Sequence, residues 1–140
     1  MVRMATINDA EQLFALNEAF NDVGETTLSH IQESLADNPQ ELVVVDEQEG
    51  ALTGFVCVQL KKSFCYDAVM PEIAEVYVRP EYRQQGVAGR MLAFAEAECR
   101  KQYALKPFEL LTGQGNTATQ ALYRSLGYAA DTRVHFVKGE

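Results

Sequence analysis

The spacing of apolar residues switches between helical and strand-like several times along this chain, and the switches fall near Gly, Pro, Asn and Asp. Val2–Thr6 is predicted as a first strand. Asn8 and Asp9 then offer capping oxygens to a helix carrying Leu13, Leu16 and Phe20 at helical spacing. A second helix is predicted from Thr26–Thr27 to just before Asn38–Pro39, since proline disfavours helical geometry in the residue before it. Two β-rich runs, Glu41–Glu47 and Leu52–Leu60, flank Glu49–Gly50 and read as a hairpin, followed by a loop over Lys61–Pro71. Glu72–Val78 is predicted as a strand closed by Arg79–Pro80. A long helix follows Gly86 to about Gln102, its apolar face made by Val87, Met91, Phe94 and Ala95 with Leu92 and Cys99 on the flank. Phe108–Thr112 reads as a strand, Thr117–Leu126 as a helix stopped by Gly127, and Thr132–Lys138 as a last strand.

This order predicts an α/β (α+β) protein of one domain, hairpins first and then a strand-helix-strand crossover. The crossover sets the strands at 72–78 and 107–112 parallel. Ligands of such sheets bind near the carboxyl ends of the strands. The 140 residues are enough for one packed core, and no repeat or linker divides them. The apolar runs are far shorter than the roughly 20 residues that span a bilayer, and the first residues carry no targeting pattern, so a cytoplasmic protein with no membrane partner is expected. Cys57, Cys65 and Cys99 are expected to be reduced thiols, and with His30 and His135 they show no metal-ligand spacing, so no metal is expected. A net charge of −8 disfavours nucleic acid as a partner and favours a cationic small molecule.

Chemistry concentrates between Val78 and Met91, where a strand end, a turn containing Gly86 and a helix N-terminus meet. The first amides of such a helix have no intrahelical acceptor and face the positive end of its dipole, which makes an anion site. Gly86 permits close approach, Ala88 and Gly89 are small, and Arg83 and Arg90 can add charge. The Walker pattern is absent. The dinucleotide pattern Gly-x-Gly-x-x-Gly fails at Gln84 and Ala88, so a nucleoside triphosphate or NAD is disfavoured.

The segment Arg83-Gln84-Gln85-Gly86-Val87-Ala88 resembles the acetyl-CoA loop of the GNAT N-acetyltransferase superfamily, Arg/Gln-x-x-Gly-x-Gly/Ala, with Ala88 at the second glycine position. Val76 through Tyr82 looks like that family's strand and Pro-Glu-Tyr approach, and Gly89-Arg90-Met91-Leu92 like its helix start. A second signature, Asn followed seven residues later by Tyr and then by Gly-aromatic, resembles Asn116, Tyr123 and Gly127-Tyr128, with Thr119 where Ala is commoner. The resemblance covers essentially the whole chain. It implies a mixed, mostly antiparallel sheet of six to seven strands with helices on both faces, and acetyl-CoA as co-substrate. By the same resemblance, the amides from Gln84 through Gly89 would hold the pyrophosphate. The backbone of Val76, Tyr77 and Val78 would pair with the pantetheine arm, to which Asn116 would hydrogen-bond.

Acetyl transfer to an amine needs the neutral amine. Deprotonating a Lys-like amine near pH 7.4 costs about 4 kcal/mol. Glu72 and Glu75 are the candidate acceptors of that proton; strict alternation sets them on opposite faces, and a bulge would reverse the assignment. Tyr123 is the candidate acid for the leaving thiolate. No Cys has the partners of a covalent nucleophile, so direct transfer in a ternary complex is expected, to a primary amine and first to a small cationic one. A protein N-terminus or lysine, and a sensor module that binds acyl-CoA without catalysis, stand as alternatives. A homodimer paired through Thr132–Lys138 is compatible with any of these.

Overall fold

The computed structural model describes residues 1–139. Five strands form one sheet: β1 (Val2–Met4), β2 (Glu41–Gln48), β3 (Ala51–Lys61), β4 (Met70–Val78) and β5 (Glu109–Leu110), side by side in that order. The first three pairings are antiparallel and β4–β5 is parallel. Four α-helices pack with it among the described residues: α1 (Ala10–Asn21), α2 (Leu28–Ala36), α3 (Val87–Gln102) and α4 (Thr117–Ser125). None of the described helices is long and apolar enough to cross a membrane.

The sheet is covered on both faces because its long strands alternate two apolar sets. Leu42, Val44, Val56, Val58, Ile73 and Val78 meet the buried stripe of α3, namely Val87, Met91, Leu92, Ala95 and Cys99. Val45, Leu52, Phe55 and Tyr77 point the other way and meet Leu13 and Leu16 of α1. Helix α1 begins where it does because the Asp9 carboxylate accepts the Thr6 amide at 2.8 Å and both terminal nitrogens of Arg3 at 2.8 and 2.9 Å. Thr27 caps α2 by accepting the His30 amide at 3.1 Å.

Three sequence expectations are corrected. The sheet has five strands among the described residues, not six or seven, because Thr132–Lys138 forms no strand. Strand propensity registers how well a side chain suits a pleated surface, not whether a partner edge lies beside it. The strand expected at Phe108–Thr112 is reduced to Glu109–Leu110, and β4 starts at Met70, inside the segment read as loop.

Gly54 of β3 stands where the neighbouring strand leaves no room for a side chain. A Cβ there would collide with the Tyr77 carbonyl and stand 3.1 Å from the Met91 methyl. Gly54→Ala is therefore expected to destabilise the protein by about 2 kcal/mol through overpacking, which urea unfolding would measure; an unchanged midpoint would contradict this account of the contact.

Candidate active site

Strands β4 and β5 diverge. They pair only at Glu72–Glu109 and Ile73–Leu110, so β4 continues from Ala74 to Val78 with no strand on its β5 side. The Arg79 amide donates to the Thr53 carbonyl of β3 at 2.8 Å. By strand alternation the backbone of Tyr77 also faces β3, while that of Val76 and Val78 faces the open edge. Of the three residues expected to pair with an extended ligand, two therefore present their backbone to it and Tyr77 does not. The Tyr77 ring is buried against Phe20 and Phe55, at centroid distances of 5.1 and 5.9 Å.

Past Val78 the chain makes a turn of 3-10 helix over Pro80–Tyr82 and enters α3 through two left-handed residues, Gln84 (φ 63°) and Gly86 (φ 79°). The first bond of the helix runs from the Arg90 amide to the Gly86 carbonyl at 3.0 Å, so the amides of Val87, Ala88 and Gly89 have no acceptor within it. A loop with left-handed residues leading into such an end makes an anion-binding concavity. Both arginines brace this loop. Arg83 Nε donates to the Val78 carbonyl at 2.8 Å, with its guanidinium 5.7 Å from the Tyr77 ring centre. Arg90 Nη1 donates to the Gln85 carbonyl at 2.9 Å. Gln85 itself donates to the Glu81 carbonyl at 3.2 Å.

The last helix is α4, whose Tyr123 packs against the core cluster that holds Val78 and Val87. Asn116 is its N-cap, accepting the Thr119 amide at 3.2 Å on Oδ1, which leaves Nδ2 as a donor. One face of α4 carries Tyr123, half-buried on the main core and 6.0 Å from the ring of Tyr128 in edge-to-face contact. Burial pushes the Tyr123 phenol above its usual range, so it holds its proton throughout the neutral region.

The two glutamates are separated by a bulge that settles their facing. Cys57 pairs with Glu75, but the next residue of β3, Val58, pairs with Ile73, leaving Ala74 as the extra residue. Glu75 and Glu72 thus oppose Cys57 and Gln59, which alternate onto one face, and so both glutamates share it. Their surroundings differ. Glu72 is 3.1 Å from Lys61 Nζ, whereas Glu75 has no ion-pair or hydrogen-bond partner among the described residues, and burial raises its carboxyl above the usual range.

Sequence reading missed Glu41. It lies on the same face, accepts Gln59 Nε2 at 2.8 Å, and is likewise raised by burial, with Glu75 adding repulsion. Counting back from the Glu49–Gly50 turn would set Glu41 opposite Val58. A second bulge in the hairpin, between Asp46 and Glu47, shifts it opposite Gln59. Between these carboxylates the Cys57 thiol is pushed well above its ordinary value by burial and then by Glu41 and Glu75, so it stays protonated and is no nucleophile. Among the described residues no three His, Cys, Asp or Glu side chains gather as a metal-binding group.

Comparison with known proteins identifies the family and the fold. The profile of the acetyltransferase (GNAT) family matches residues 7–128, and the protein belongs to that family. By family it is an acetyltransferase, and the solved structures of AAC(6')-Iy that it resembles hold CoA or a bisubstrate analogue of CoA. The structure is similar to an aminoglycoside acetyltransferase from an uncultured soil metagenomic sample, in complex with trehalose. That likeness has a TM-score of 0.86 at 17% identity over 100% of this chain and 95% of that one. It is also similar to aminoglycoside N-acetyltransferase AAC(6')-Iy bound to a bisubstrate analogue of CoA, with a TM-score of 0.83 at 20% identity over 100% and 97%. A ribosomal-protein-alanine N-acetyltransferase from Brucella melitensis biovar Abortus 2308 gives 0.80 at 15% identity over 99% and 98%. Identities this low establish the shared fold. Comparison with curated protein sequences gives no significant match.

The chain's own features fit the co-substrate: free amides at Val87–Gly89 suit a pyrophosphate, and the open edge of β4 suits an extended amide-bearing arm.

Proposed function

We propose that the enzyme acetylates a primary amine of a small cationic molecule, by direct transfer in a ternary complex, with Glu75 receiving the amine's proton and Tyr123 supplying one to the departing sulfur. The observation that carries this reading is the sheet face away from α3, where the Ala74 bulge sets Glu72 beside Glu75, the hairpin bulge adds Glu41, and Lys61 pairs with Glu72 while Glu75 has no cation of its own. A half-buried carboxylate with raised affinity for protons is suited to take one from an ammonium ion, directly or through a water. The adjacent Glu41 adds negative potential where a positively charged acceptor must sit, as does the overall charge of −8. The aminoglycoside acetyltransferases among the structural neighbours act on polycationic amines of the same class.

On the other side, the amides of Gln84 through Gly89 hold the pyrophosphate, and the backbone edge at Val76 and Val78 aligns the arm, with Asn116 Nδ2 donating to it. The thioester supplies the acetyl group and a thiolate of pKa near 8.5 as leaving group; Tyr123, a phenol, protonates it for about 2 kcal/mol or somewhat more after burial.

Release of free thiol from acetyl-CoA, followed over a panel of a linear polyamine, an aminoglycoside and peptides with free N-termini or lysines, tests the proposal. The polycationic amines are expected to have the highest kcat/KM. Turnover of peptides alone would replace the reading by protein acetylation, and binding of acetyl-CoA with no thiol release across the panel would replace it by a sensor role.

Glu75 gives this reading a pH signature. Its raised pKa means that the basic form is lost, as pH falls, at a higher pH than for an ordinary glutamate near 4.3. The kcat profile is expected to show an acid limb with its midpoint above that value. Glu75→Gln is expected to remove the limb and lower kcat about 100-fold, while Glu72→Gln, with Lys61 already balancing the charge, changes kcat less than about 5-fold. A larger loss in the Glu72 variant than in the Glu75 variant would reverse the assignment.

A further inference from the structure

The loop that leads from β5 into α4 is held by hydrogen bonds and hardly at all by packing. Residues 111–118 are exposed, and at Gly113 and Gly115 a Cβ would meet nothing within 4 Å. Two glycines so close together leave the backbone a wide conformational range. Two backbone bonds restrict it: the Asn116 amide donates to the Gly113 carbonyl at 3.0 Å, and the Thr117 amide to the Gly115 carbonyl at 3.0 Å.

Gln120, one turn into α4, supplies the rest. Its Nε2 donates to the Gly113 carbonyl at 2.8 Å and to the Gln114 carbonyl at 2.9 Å, which uses both hydrogens of that amide. Among the described residues no other side chain donates to a carbonyl of this loop. The Gly113 carbonyl is the one that also accepts the Asn116 amide, and the backbone amide of Gln120 donates to the Asn116 carbonyl at 3.1 Å. Gln120 thus holds Asn116 from two sides, through the loop before it and the helical turn after it. With Asn116 Oδ1 engaged by the Thr119 amide, the place of Nδ2 follows the place of that backbone.

We propose that Gln120 is a positioning residue for acetyl-CoA: by tying down the Gly113–Gly115 loop it fixes Asn116 where its side-chain amide meets the extended arm. This rests on the reading that Asn116 donates to that arm; Gln120 itself acts only through the loop. The physical reason is preorganisation. A glycine-rich loop that samples many conformations has to be ordered when the ligand arrives, and the lost entropy is subtracted from the affinity. A loop already ordered by two side-chain hydrogen bonds loses far less.

Titration calorimetry with acetyl-CoA on the full chain tests this, in a cycle of Gln120→Met, Asn116→Ser and the two together. Methionine keeps the length and the helix propensity of glutamine and removes both donors; serine keeps a capping oxygen at 116 and removes Nδ2. Gln120→Met is expected to weaken Kd about 5- to 10-fold, with the far-UV spectrum and urea midpoint near those of the wild type because the loop is exposed. In the Asn116→Ser background the same substitution is expected to change Kd less than about 2-fold, since the group it places is gone. Gly115→Ala, permitted because Gly115 has no positive φ, stiffens the loop and is expected to recover about 2-fold or more of the affinity lost in Gln120→Met. An unchanged affinity in Asn116→Ser would overturn the reading of Asn116, and the inference with it. If Asn116→Ser weakens binding and Gln120→Met does not, the inference alone falls. It falls too if the two losses add, or if the loss in Gln120→Met follows a lowered urea midpoint and Gly115→Ala recovers none of it.

Discussion

Gly86→Glu is expected to abolish acetyl-CoA binding in a chain that still folds. Gly86 has φ 79°, and a Cβ there would stand 3.0 Å from Arg90 Nη1, the terminal nitrogen of a flexible and exposed side chain. The left-handed conformation costs an L-residue about 1–2 kcal/mol, well within the 5–15 kcal/mol of a typical domain, so the fold survives. The binding site does not. A carboxylate beside Arg90 and the free amides of α3 occupies the place of a phosphate and repels the other. A loss of about 3 kcal/mol or more corresponds to at least a 100-fold weaker Kd. Titration calorimetry on protein with an unchanged circular dichroism spectrum reads this directly. Affinity within about 3-fold of wild type would mean that the loop does not hold the pyrophosphate.

Tyr123→Phe should separate binding from turnover. The ring is retained, so its packing on the core and its contact with Tyr128 persist, and the loop at Gln84–Gly89 is untouched. Only the hydroxyl is lost. Loss of a positioned proton donor is expected to lower kcat between about 100- and 1000-fold, with the Kd for acetyl-CoA changed less than about 3-fold. Because burial holds the phenol above its usual range, the wild type keeps its acid through neutral pH and the defect should be constant there. An unaltered kcat would remove Tyr123 from the chemistry, and a parallel loss of affinity would make it a residue of the binding surface.

The parts of the site legible in the sequence are those built by consecutive residues. Gly86, its flanking strand and the helix after it are contiguous, so a left-handed turn into a helix N-terminus can be read from residue types alone. Asn116 and Tyr123 were named through the family resemblance and lie two turns apart on one short segment; that Asn116 caps α4 is a finding of the structure. Residues brought together by pairing between strands were less legible. Glu72 and Glu75 could be named but not faced, because one extra residue at Ala74 inverts every side chain before it. Glu41 was invisible, since its place depends on a bulge in a different pair of strands. Arg83 and Arg90 were named as charge for the ligand, while the structure shows them also spending donors on the Val78 and Gln85 carbonyls.

By itself the sequence determined the four helices, the hairpin and the glycine turn into α3, because each rests on periodicity, capping or a glycine within a few residues. Tertiary structure decided which carboxylates share a face, which of them is left without a cation, and how far β5 departs from β4. Those depend on register and on the meeting of distant segments, where a shift of one residue changes the outcome and leaves no local mark. The unmade strand at Thr132–Lys138 belongs to the same category: its residues have the propensity, but a strand exists only where a second backbone lies beside it.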